Sequence, residues 1–105
     1  MVEPAVVVSS TLAVVRRNRK GALTRSLKSL EALMAVDAEN ETVYERYEKS
    51  KQQWEAVEAA HQELVDTLKE DEAFEREEAW MIEAEAVFVA ARVQVEKYLT
   101  SQLVT

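Results

Sequence analysis

The chain has 105 residues, 48% hydrophobic and 31% charged, with one Gly, one Pro, no Cys and a formal net charge of -7. That length allows one small domain, so few breakers cannot punctuate a many-stranded sheet, and the lack of thiols removes disulfide, zinc-ribbon and dithiol chemistry. Ala, Glu, Leu, Lys and Arg supply 54 of the 105 residues, the share typical of long helices and coiled coils.

Residues 1–10 read as an N-terminal arm, because Val6-Val7-Val8 has no helical period. Val2 to Val15 is the most apolar stretch, but Glu3, Pro4 and Ser9-Ser10-Thr11 interrupt it, and a membrane span needs about 18 uninterrupted apolar residues. Basic residues follow this stretch, whereas a secretory signal places them first. A soluble, intracellular and cytoplasmic protein is therefore expected.

Helix one is expected over 11–36. Leu23, Leu27, Leu30 and Met34 recur in steps of four, three and four on one stripe. Continued backward, the stripe meets Lys20 and Arg16, so Arg16 to Lys20 reads as a solvated first turn or a frayed arm. Gly21, about 1 kcal/mol worse than Ala inside a helix, offers a place for a break.

Asp37 to Thr42 supplies the turn, and Thr42 with Glu45 has the capping-box spacing. Helix two is expected over 41–69, with a seam of Val43, Tyr47, Ser50, Trp54, Val57, His61, Leu64 and Leu68 that keeps steps of four and three throughout. A sustained seven-residue repeat implies left-handed packing against a long neighbour, from the same chain or from a second copy. The seam is accordingly the expected interaction surface, with Ser50 and His61 as its polar members.

The seam stops at Leu68 and Asp71 can cap a following helix, which predicts a short connection; one uninterrupted helix is the alternative. Helix three is expected over 72–101, with a stripe of Phe74, Met81, Ala84, Phe88, Ala91, Val95 and Tyr98. Glu77 stands where that stripe wants an apolar residue, so the first turn is expected to project past the core. Trp80, Val87, Val89 and Leu99 widen the face, as for a helix with two neighbours. The fold class is all-α: an antiparallel three-helix bundle, or a long coiled-coil-like helical hairpin with a basic N-terminal helix, forming a single domain over 11–105. Much of its apolar content is Ala, which buries little area at roughly 25 cal/mol per Å², so the core is thin and a partner chain would add to it.

Charge divides along the chain. Up to Leu30, six basic residues face Glu3 alone; beyond it, 7 basic residues face 19 acidic ones. Arg16, Arg17, Arg19, Lys20, Arg25 and Lys28 could therefore meet an anion despite the acidic total, or dock on acidic neighbours within the bundle. The chemistry of catalysis is poorly represented: one His, no Cys, no Gly-rich phosphate loop and no nucleophile elbow, so no catalytic residue, metal, cofactor or small-molecule substrate is expected. Glu58-x-x-His61 has the spacing of a di-iron bundle ligand pair, but such a site needs two copies of the motif, and a His in a seam is more simply a packed polar residue. On that simple view His61→Leu would stabilise the bundle.

The run Arg17-Asn18-Arg19-Lys20-Gly21-Ala22-Leu23-Thr24-Arg25-Ser26-Leu27, then Tyr47-Glu48-Lys49 through Trp54-Glu55-Ala56-Val57, then Asp71-Glu72 with Glu75-Arg76-Glu77-Glu78 and Glu83-Ala84-Glu85-Ala86-Val87-Phe88, resembles the helical leader of Bel/Pao-type LTR-retrotransposon polyproteins. The likeness spans about Arg16 to Leu99, and Ala79-Trp80-Met81-Ile82 departs from the more charged stretch usual there. It implies a Gag-like structural module that self-associates during assembly, with the six N-terminal cations holding RNA or an acidic membrane surface. Without Cys, no nucleocapsid function carries over. Two functional readings result: a non-enzymatic assembly module forming a homo-oligomer, and a helical adaptor or nucleic-acid accessory that binds a heterologous partner.

Overall fold

A computed structural model describes residues 4–103. Three helices follow one another, α1 (Pro4–Ala35), α2 (Asn40–Val65) and α3 (Asp71–Leu103). Two short turns reverse the chain, so α1 and α3 run parallel with α2 antiparallel to both, in a bundle of 63 × 20 × 16 Å. All three helices pack against one another, and α1 shares its most extensive contact with α2, so α1 is an integral part of the bundle and not a loosely attached addition to a hairpin.

The helix boundaries follow local chemistry that periodicity does not register. Instead of an arm reaching to residue 10, α1 begins at Pro4; proline presets the first helical φ and lacks an N–H that would be unpaired there, and Val lowers helix propensity only slightly. Residues 1–3 of the expected arm lie outside the described residues. No break occurs at Gly21, where an added Cβ would meet only the Arg25 Nη1 atom at 3.6 Å.

Asp37 ends α1 in the left-handed conformation, φ 55°. Its N–H donates to the Met34 carbonyl at 3.2 Å, and the Ala38 N–H donates to that of Leu33 at 3.0 Å. This is the Schellman arrangement, with Asp in the place Gly usually takes. The Thr42–Glu45 capping box does not form, because α2 already starts at Asn40 behind Glu39. The end of α2 comes at Val65 rather than 69, since Thr67 closes it by donating its N–H at 3.0 Å and its Oγ1 hydroxyl at 2.7 Å to the Leu64 carbonyl. Asp71 and Glu72 then open α3, where acidic groups are favoured by the helix dipole.

Six seam residues of α2, Val43, Ser50, Trp54, Val57, His61 and Leu64, are buried, while Tyr47 and Leu68 are half-buried. Their neighbours are α1 and α3 of the same chain. Of the two kinds of long neighbour that the repeat left open, the same chain supplies them, and the seam's face is already covered within the monomer. Toward the α2–α3 turn, Leu23, Trp54, Val57, Met81, Ala84 and Phe88 form one core cluster; toward the α1–α2 turn, Leu30, Val43 and Val95 form a second. Leu27 and Tyr47 pack against both. Fully burying side chains such as Leu30 or Val57 stabilises by about 1.5–3 kcal/mol each.

Candidate functional site

Each helix carries a polar residue on its apolar stripe, and near the α2–α3 turn the three residues meet. Arg16 of α1 is 4% exposed. Its Nη2 donates to Glu77 Oε2 of α3 at 2.5 Å, its Nη1 donates to His61 Nδ1 of α2 at 2.9 Å, and its guanidinium carbon lies 3.8 Å from the Trp80 ring centroid. Because Nδ1 accepts from Arg16, the ring proton sits on Nε2, which donates to Glu78 Oε1 at 2.8 Å. Lys20 Nζ stands 5.3 Å from the same indole centroid, within cation–π range. A guanidinium held by a carboxylate, an imidazole and an aromatic face thus crosses all three helices.

This layer revises the expectation for Arg16 and accounts for Glu77. Arg16 does not belong to a set free to meet external anions, because burial obliges its charge to pair internally and Glu77 is the group that pairs it. Glu77 reaches inward to Arg16, while the first turn before it, with Asp71, Glu72 and Phe74, is exposed as expected. His61 has both ring nitrogens engaged, Glu58 is exposed, and among the described residues no group of three or more His, Cys, Asp or Glu is placed to hold a metal ion.

The other basic residues divide by surroundings. Arg19 donates to the Ala56 carbonyl at 2.9 Å from an exposed position, and Lys20 is half-buried beside Trp80. Arg17, Arg25 and Lys28 are exposed, and their spacing puts them on the side of α1 opposite Arg16, Leu23 and Leu30. No acidic residue interrupts α1 before Glu31.

A cleft of about 350 Å³ between α2 and α3 has Lys51, Glu58, Glu85 and Arg92 on its lining, with Trp54 stacked on Phe88 at 5.3 Å and 9°. Tyr47 also lines it; burial pushes its phenol above the ordinary value, against the opposing pull of Lys51 and Arg92. The aromatic pair belongs to the core cluster, so the cleft is a seam between packed helices.

The surface that sequence reading missed lies on the outside of α3. Ala79, Ile82, Ala86, Val89 and Val93 follow one another in steps of three and four. Ile82 is 66% and Val93 39% exposed, Ala79 and Ala86 are exposed, and Val89 is half-buried. This second heptad row was legible as an offset copy of the first, but its alanines draw little notice. Among the described residues no helix is long and apolar enough to cross a membrane. No family model, curated protein or solved structure matches this chain.

Proposed function

We propose that this chain is an intracellular, non-enzymatic assembly module that self-associates through α3 and presents the exposed cations of α1 to an anionic partner. The observation that carries the reading is that α3 has two apolar rows and its own chain covers one of them. The row of Met81, Ala84, Phe88 and Val95 is buried, whereas Ile82 and Val93 of the second row remain exposed. Apolar rows at heptad spacing are the usual means by which helices join. The resemblance to the Gag-like leader of Bel/Pao-type elements points the same way.

Sedimentation equilibrium over a concentration series tests it: a concentration-dependent dimer or larger species is expected, and a strict monomer at high micromolar concentration overturns the reading. The exposed trio Arg17, Arg25 and Lys28 favours the adaptor reading as a second possibility, with RNA as partner. Titration with RNA at two salt concentrations decides it, since phosphate attraction by a few cations weakens steeply as salt rises. Absence of binding at low salt removes this second reading.

A further inference from the structure

We propose that two copies of this chain pair antiparallel along the outer ridge of α3, about a two-fold axis at Ala86, with Lys97 of each copy set between Glu72 and Glu75 of the other. The inference rests on the self-association proposed above and names its surface, orientation and register.

Orientation follows from charge. From Asp71 to Glu85, α3 carries seven acidic residues and one basic, Arg76; beyond Glu85, Arg92 and Lys97 outnumber Glu96. Glu77 and Glu78 are engaged by Arg16 and His61, which leaves Asp71, Glu72, Glu75, Glu83 and Glu85 exposed. Parallel pairing would lay these acids against their own copies, and like charges across a helix contact are unfavourable. Antiparallel pairing lays the acidic half of each helix against the half that carries Lys97 on the ridge side.

Register follows from the apolar ridge. A two-fold contact uses the same patch on both copies. With Ala86 facing Ala86, the ridge sets Ala79 against Val93 and Ile82 against the Val89–Ala90 step, so away from the axis the large residue of one copy meets a smaller one of the other. The same register, with no further adjustment, brings Lys97 opposite Glu75, with Glu72 one turn away on the same flank. From Glu72 to Thr100 the contact would run about 42 Å at 1.5 Å per residue. Alanine at the centre lets the two helix axes approach closely, at the short end of the usual 8–10 Å.

Because the chain has no Cys, Ala86→Cys gives a clean test on the full-length protein. A pair facing across the axis falls within disulfide reach, so mild oxidation is expected to yield covalent dimer quickly, while Glu45→Cys on the exposed side of α2 yields none. In sedimentation equilibrium, Ile82→Lys is expected to weaken dimerisation roughly tenfold or more, since it sets a charge in the contact. Lys97→Glu should weaken it too, and adding Glu72→Lys and Glu75→Lys should restore it. Circular dichroism should show unchanged helix content throughout, because these side chains are exposed in the monomer. A wild-type dimer that Ile82→Lys leaves intact and Ala86→Cys does not cross-link overturns this surface while self-association stands. A monomeric wild type overturns both.

Discussion

The two ends of the bundle are held by different physics. Near the α1–α2 turn, Leu30, Val43 and Val95 are at most 1% exposed, and the Tyr98 hydroxyl ties α3 to the turn by donating to the Ala38 carbonyl at 2.5 Å. Near the α2–α3 turn, the core gives way to Arg16, His61, Glu77 and Trp80. Apolar burial is non-directional, so the first end would tolerate helices slipped along their axes by a heptad. The second end accepts a single alignment, because only one places a carboxylate and an imidazole around the guanidinium. Desolvating that layer costs stability that an apolar replacement would not. One end supplies burial and the other supplies register.

The contrast can be broken by substitution at either end, with urea denaturation as the measure. Leu30→Ala is expected to have the largest effect, a loss of about 2–5 kcal/mol from a cavity in the apolar end. Glu77→Ala should follow at about 3 kcal/mol, because it leaves Arg16 buried without its carboxylate; a negligible loss would mean that solvent reaches Arg16 and that the layer does not set alignment. The combined replacement Arg16→Met, His61→Leu and Glu77→Leu sharpens the point. It should match or exceed the parent in stability while the dispersion of its NMR amide spectrum collapses as alternative alignments become populated.

His61→Leu alone should destabilise by about 1–3 kcal/mol, since Arg16 loses an acceptor and Glu78 a donor. That reverses the gain expected when His61 is viewed on α2 by itself. Away from both ends, Gly21→Ala should add up to about 1 kcal/mol, as the site is helical and open to a methyl group. The smallest effect is alkaline. Burial raises the Tyr47 phenol, so its contribution is complete below about pH 10, the unfolded value, and is lost as pH rises above it, where the unfolded state releases the proton first. Tyr47→Phe should flatten that part of the stability profile.

What the sequence disclosed follows the range of the interactions. The α2 seam was legible because a heptad row is written on one helix, and its burial needs only some long neighbour. The layer was not, because Arg16 and Glu77 each look like an interruption when their own helix is read alone. They are 61 positions apart, and the two interruptions become a pair only when α1 and α3 lie parallel. Asp37 is legible from the sequence only as the start of the turn, because the use of Asp in the left-handed conformation at a helix end leaves no periodic trace. The candidate surface on α3 was half legible. Val87 and Val89 showed that the face is broad, but the row through Ala79, Ile82, Ala86 and Val93 stands out only when exposure shows which of two overlapping stripes the bundle has used.

An odd number of helices has a consequence for how the molecule can be joined to others. Since α1 and α3 point the same way, the start of the first and the finish of the third sit at opposite tips of a rod with a 63 Å long axis. Anything fused to the two tips would be kept apart by most of that distance, so the bundle works as a strut. A four-helix version of the same plan would bring both attachments back to one tip and lose that separation.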